Sequence, residues 1–151
     1  MSALRQKLLD RLVNFYPPFL GAGIRVVERA EDGTYLRVRM PLTFWNRNYV
    51  GVHYGGSLYS LCDPWFMLLL MKQLGPKYLV WDKAASIRFI APGKSAVTAE
   101  FHVPAEAVQD IRQQLEQQRK VEPKFTTQVL DSSGQLVAEV EKLLYIRKKD
   151  S

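Results

Sequence analysis

From Gly55 to Leu74 the chain carries a stretch that is apolar on nearly every side of a helical wheel. A helix without a polar face has to be enclosed on most sides. Lipid is not the enclosure expected here: the most apolar run, Trp65 to Met71, is bounded by Asp63-Pro64 and Lys72, whereas a membrane span needs roughly 20 predominantly apolar residues. Gly75-Pro76 supplies the stop. The segment is therefore expected to be a core helix, and the rest of the chain has to wrap around it.

The flanking sequence offers strands for that purpose. Tyr35 to Pro41 alternates Leu36, Val38 and Met40 with Arg37 and Arg39 and follows Gly33, so a first hairpin is expected there. Beyond the helix, Val80 to Ala91 carries Ile87, Phe89 and Ala91 on one face. A turn at Pro92-Gly93 leads to Val97, Ala99, Phe101 and Val103, which read as the other arm of a second hairpin. Residues 124–131 and 135–147 form a third around Asp131-Ser132-Ser133-Gly134. Two further helices are expected. Leu4, Leu8, Leu9, Leu12 and Phe15 recur at helical spacing over residues 1–16 until Pro17-Pro18 ends the pattern, and residues 104–120 form a polar covering helix with a narrow stripe of Val108, Ile111 and Leu115. An apolar helix among antiparallel hairpins gives an α+β fold, with a curved antiparallel sheet around a long apolar central helix.

The 151 residues suit one domain spanning 1–151. Cys62 is the only cysteine, so no disulfide forms within the chain and a reducing, cytoplasmic setting is expected. Arg5, Lys7, Asp10 and Arg11 interrupt the leucines of the first segment, unlike a signal peptide. The net charge of +6 favours an anionic partner, but part of it lies in Arg147-Lys148-Lys149 at the end, and no nucleic-acid motif accompanies it. The two histidines, His53 and His102, have no cysteine beside them, so no metal site is expected. His102 falls on the polar face of its strand. Ser57 and Ser60 lack the turn of a nucleophile elbow.

The chemistry concentrates between Trp45 and Pro64. Gly55-Gly56 at a helix start leaves backbone N–H groups unshielded and ready to bind an oxyanion. Asp63 lies about two turns further along an apolar helix, where a carboxylate is costly unless paired, protonated or used. Asp63-Pro64 also reads as a helix N-cap followed by proline at the first helical position. Both roles stay open from the residues alone.

Gly55-Gly56-Ser57-Leu58-Tyr59-Ser60-Leu61-Cys62-Asp63 resembles the central-helix motif of hotdog-fold thioesterases of the phenylacetate-pathway and 4-hydroxybenzoyl type. Together with Asn46 to Gly51, Val80 to Phe89 and Pro92-Gly93, it is similar to a branch of that superfamily known as a domain of unknown function. The resemblance covers residues 24 to 147 and implies a hotdog fold and an acyl-CoA thioesterase needing no cofactor, with coenzyme A entering as part of the substrate. It implies a homodimer or dimer of dimers with the site at the interface. The Gly55 N–H would polarise the thioester carbonyl, Asn48 would position substrate or water, and Asp63 would be general base or nucleophile. Gly56, His53, Tyr54, Asp82 and Arg88 would line the substrate, with Arg47, Lys83 and Lys94 as further candidates for the coenzyme A phosphates.

Three departures stand out. Tyr54 occupies the place before Gly-Gly where many relatives have histidine, and His53 lies one residue earlier. Met67 stands where some relatives have a hydroxyl one turn after the acid. Asp82 replaces a serine or threonine, bringing a second carboxylate toward the site, with Lys83 beside it as a neutralising partner. The alternative, favoured by Met67 and by the proline after Asp63, is a non-catalytic acyl- or lipid-binding hotdog protein that uses the Trp65–Met71 segment as a tunnel wall. A dehydratase is disfavoured because His53 is out of register.

Overall fold

The computed structural model describes residues 12–149. Most of the helix expected over residues 1–16 lies outside them. What is described is a 3-10 turn, Val13–Phe15, followed by α1, Pro17–Ala22. Pro17-Pro18 thus opens a helix rather than only ending one. Proline's fixed φ suits a first turn, where its missing N–H would have no partner anyway.

Strands β1 (Arg25–Arg29), β2 (Tyr35–Met40), β3 (Tyr78–Phe89), β4 (Val97–His102), β5 (Lys120–Val121), β6 (Lys124–Asp131) and β7 (Leu136–Lys148) form one antiparallel sheet in the order β1-β2-β4-β6-β7-β3, with β5 also on β7. The first and third hairpins form as expected. At the tip of the third, Asp131 Oδ1 accepts the amides of Ser133 and Gln135, both at 2.9 Å, and Gly134 takes the left-handed conformation at φ +84°.

The second hairpin does not form. β3 pairs with β7 from Tyr78↔Lys148 to Phe89↔Ala138, while β4 lies between β2 and β6. Length decides this. A strand of 12 residues satisfies its ladder against the 13 residues of β7, and the six residues of β4 would leave half of its backbone groups without partners.

The inward faces alternate as the sequence suggests. Leu36, Val38 and Met40 of β2 lie opposite Phe101, Ala99 and Val97 of β4, all buried. They enclose two helices, α2 (Gly55–Leu61) and α3 (Trp65–Leu74), which divide the expected central helix between them. The break falls at Cys62-Asp63-Pro64, where proline lacks an N–H for a continuous ladder. Two tight bonds close α2, Cys62 N–H to Tyr59 C=O at 2.8 Å and Asp63 N–H to Ser60 C=O at 3.3 Å. The Trp65 indole N–H then donates to Leu61 C=O at 2.7 Å, so the buried helix end is satisfied. Trp65, Phe66, Leu69 and Leu70 fill the core, with Phe66 packed edge-on to Phe101 at 5.0 Å.

The polar helix is α4, Ala105–Gln117, and it buries Val108, Ile111 and Leu115 as expected. Its Arg112 reaches across to the C-terminus of α3 and donates to Gln73 C=O at 2.8 Å. A cation placed there also meets the negative end of the helix dipole.

Candidate functional site

The motif occupies α2 and the loop before it, and its two ends differ in chemistry. At the glycine end, the first-turn amides with backbone partners are those of Ser57 and Leu58, both on Tyr54 C=O. Two rings lie close over the glycines. A Cβ on Gly55 would stand 3.0 Å from the Phe89 ring, and one on Gly56 would stand 2.5 Å from the Tyr54 ring. Glycine here lets aromatic side chains approach the backbone. Phe89 and Tyr54 are themselves more than half exposed.

His53 is buried in this region, and its Nε2 lies 2.8 Å from Ser95 C=O. A carbonyl partner makes Nε2 the donor and leaves Nδ1 as a lone-pair acceptor, which has no partner. Burial holds the imidazole below the ordinary histidine range, the bond to Ser95 offsetting only part of that, so the ring is neutral. Asn48 is committed to its own loop: its side-chain oxygen accepts the amides of Val50 and Val52, each at 3.1 Å. No hydrogen bond joins Asn48 to Asp63 among the described residues.

At the other end, Asp63 does not cap α3. The N-cap position belongs to Pro64, without a side-chain bond, and the Asp63 carboxylate turns to Lys142 on β7. Lys142 Nζ lies 2.5 Å from Asp63 Oδ1, 3.2 Å from Asp82 Oδ2 and 2.9 Å from the Tyr59 hydroxyl. The Lys142 side chain is 0% exposed, against 40% for Asp63 and 23% for Asp82. Burial works against its charge, but the bonds to Asp63 and Tyr59 and the attraction of both carboxylates outweigh it and raise the ammonium above the ordinary lysine range. Lys142 is thus a fixed cation.

Asp82 is brought here by a backbone irregularity. The register of β3 against β7 shifts between Asp82 and Ala84, with Lys83 as the extra residue. Before the shift, Val80 and Asp82 face the core opposite Ile146 and Leu144. After it, Ala85 and Ile87 oppose Lys142 and Val140. A bulge of this kind puts residues an odd number apart on one face. Burial raises the Asp82 carboxyl more than the Lys142 charge lowers it, and Asp82 Oδ1 is buried without a partner.

Lys83 does not neutralise Asp82 as the sequence suggests. It points to the other face, as successive residues of a strand do, and pairs with Glu122 at 2.8 Å. The cation beside Asp82 is Lys142 instead. Its signal lay in β7, where Val140, Leu144 and Ile146 face inward at every second position and a lysine stands in phase with them. Arg88 is exposed and pairs with Glu139 at 3.4 Å. Arg47 stacks on Phe44, its guanidinium 5.2 Å from the ring. The buried Cys62 lies beside Asp63, its thiol pushed up to about 12 by burial.

A separate apolar cavity of about 310 Å³ lies between α3 and the β1–β2 hairpin, lined among the described residues by Val26, Leu36, Trp65, Leu68 and Leu69, with Lys72 at its edge. Neither Gly55 nor Asp63 lines it. No helix among the described residues is long and apolar enough to cross a membrane.

The sequence matches, over residues 5–146, a family described as a domain of unknown function, DUF4442. No curated protein matches it. Several solved structures share its fold. One is Pseudomonas aeruginosa PA5026, described as a protein of unknown function and probable thioesterase, which is 24% identical over 95% of this chain and 96% of its own, with a TM-score of 0.82. Escherichia coli PaaI, from the phenylacetic acid degradation operon, is 18% identical over 97% and 94%, with a TM-score of 0.66. The Haemophilus influenzae thioesterase HI1161 is 14% identical over 91% and 87%, also at 0.66. A hotdog architecture and a family match over nearly the whole sequence meet in one chain, and the protein belongs to the DUF4442 family.

Proposed function

We propose that this protein hydrolyses acyl-CoA thioesters, with Asp63 as the general base or nucleophile and the Gly55 amide polarising the carbonyl. The observation that carries this reading is a partly exposed carboxylate, Asp63, anchored by a sealed lysine at the end of the glycine-led helix. Gly55 and Asp63 sit at opposite ends of α2, on the order of 10 Å apart at 1.5 Å rise per residue. One chain therefore does not join them at a single carbonyl, and the site needs a second copy. β3 is suited to provide it: among the described residues it is an edge strand of 12 residues with one side unpaired, and Ala84, Ala85 and Ser86 are exposed along it. A homodimer, alone or as half of a tetramer, would set Asp63 of one copy toward Gly55 of the other.

In the reaction, water or Asp63 attacks a carbonyl whose developing charge meets backbone N–H groups. The family similarity to proteins named thioesterases supports the reaction class, as does the excess of positive charge for a polyanionic substrate. Lys83 and Arg88 are engaged with Glu122 and Glu139, so Arg47 and Lys94 are the better candidates for the coenzyme A phosphates. Asn48 contributes by holding the loop that carries His53 and Tyr54.

The test is turnover of short, long and aromatic acyl-CoAs, followed with a free-thiol reagent. Asp63→Asn is expected to lower kcat/KM at least a hundredfold, the lower range for general-base catalysis, with the fold retained. Equal turnover in the variant removes Asp63 from the reaction. A second reading, acyl binding without turnover, is favoured by the apolar cavity beside α3, which stands apart from both ends of α2. Tight binding of acyl-CoA or fatty acid by a protein that turns over none of the panel selects it.

A further inference from the structure

We propose that Lys142 binds Asp63 and Asp82 into a proton-sharing pair, in which Asp63 is the ionised member at the surface and Asp82 holds the proton beneath it. The inference deepens the hydrolase reading and rests on it only for its kinetic consequences.

The geometry gives three reasons. The Lys142 ammonium donates hydrogen bonds to Tyr59 and Asp63 and stands in ion-pair contact with Asp82. With its side chain wholly enclosed, Lys142 does not meet a substrate and acts through the carboxylates it holds, as a positioning residue. The second reason is the balance of charge. One cation faces two carboxylates, and beside them stand the Tyr59 hydroxyl from α2 and the Cys62 thiol from the break, which burial keeps protonated. With both carboxylates ionised, one negative charge would stand uncompensated in a site closed to water on the lysine side, which is costly. The third reason says where the proton goes. Asp82 is the less exposed of the two, and its Oδ1 is buried without a hydrogen-bond partner. An unpartnered oxygen costs less in a neutral carboxyl than in a carboxylate, and burial of Asp82 acts in the same direction.

The pair gives the proposed reaction a place for its proton. Water's oxygen bonds to the acyl carbon and its proton passes to Asp63, so that the pair then holds two. The carbon–sulfur bond breaks, the departing thiolate takes one proton from the pair, and the pair returns to one.

The decisive experiment reads the proton directly in the full-length protein. Carboxyl ¹³C NMR of aspartate-labelled protein is followed over a pH titration, and the Asp82 signal is assigned by its loss in Asp82→Asn. Asp82 is expected to titrate above the ordinary carboxylate range and to fall back in Asp63→Asn, where Lys142 has only one carboxylate left to hold. Titration of Asp82 at or below the ordinary range, or the same midpoint in Asp63→Asn, overturns the proposal. This readout needs no catalysis, so a protein inert toward every acyl-CoA defeats the hydrolase reading while the proton pair is still decided. Where turnover is measurable, Lys142→Met is expected to lower kcat about a hundredfold with little change in KM, and Lys142→Arg to restore part of it. Wild-type kcat is expected to fall at alkaline pH as Asp82 loses its proton, and Asp82→Asn to remove that fall. An alkaline limb that persists in Asp82→Asn counts against the pair.

Discussion

The two ends of α2 solve opposite problems. The Gly55 end is assembled from backbone amides, two exposed rings and a neutral buried histidine, with Arg47 lining the pocket beside Gly56. The Asp63 end is assembled from an ammonium and two carboxylates, with the cation wholly enclosed. The first can adapt, since Phe89 and Tyr54 can move off the glycines at little cost. The second cannot, because parting Lys142 from Asp63 leaves a charge behind in the core. The proposed hydrolysis calls for both kinds of construction, one to polarise a carbonyl and one to hold an ionised carboxylate.

The largest effect expected from breaking this contrast is on stability at the charged end. Lys142→Ala removes the cation that stands between Asp63 and Asp82, and loss of one member of a buried pair costs about 3–5 kcal/mol. The lower end applies here, since Asp63 is partly hydrated. Urea denaturation at neutral pH measures it, and a loss under about 1 kcal/mol would mean that the cluster is no more than a surface salt bridge.

A smaller effect separates the ends by sign. His53 is held below its usual value of 6.5 in the folded protein, so the unfolded chain binds its proton more readily. Stability from this group is present above pH 6.5 and is lost as the pH falls through the folded value. Asp82 is held above its usual 3.8. Its contribution is present below that pH and is lost as the pH rises through the folded value. Melting temperatures across the acid range should therefore change slope in opposite senses in His53→Gln and Asp82→Asn. Parallel changes would deny the contrast.

The smallest effect on stability belongs to Gly55→Ala. The new methyl displaces the exposed Phe89 ring, while alanine in a helix gains roughly 1 kcal/mol over glycine. The two should nearly cancel in a thermal melt, while turnover drops because the approach to the amide is narrowed. A variant as active as the wild type would show that the glycine serves ring packing alone.

How much of this could be read from the sequence follows the same division. The Gly55 end is local: glycines, loop and helix start lie within a dozen residues, and short-range patterns display them. The charged end joins Asp63 to a lysine 79 positions away and Tyr59 to the same lysine across 83. Periodicity placed Lys142 on the inward face of its strand, yet nothing in one sequence says which inward residues meet. Asp82 was hidden differently. Strict alternation sets it on the face opposite Ile87, and only the bulge at Lys83 reverses that, a feature with no residue signature here. The apolar helix and the hairpins around Gly33 and Gly134 were legible because burial pattern and turn chemistry agreed. The partner of β3 was not, because adjacency in sequence suggested β4 while matching length favoured β7.

Cys62 has a practical bearing on all of these measurements. Its thiol is enclosed and protonated, sitting one residue from the carboxylate under test. Folded protein should leave a thiol dye unconsumed, so any colour in the assay comes from released coenzyme. When dye does react slowly with enzyme alone, the rate clocks the exposure of the break between α2 and α3, turning the protein's lone thiol into a built-in stopwatch.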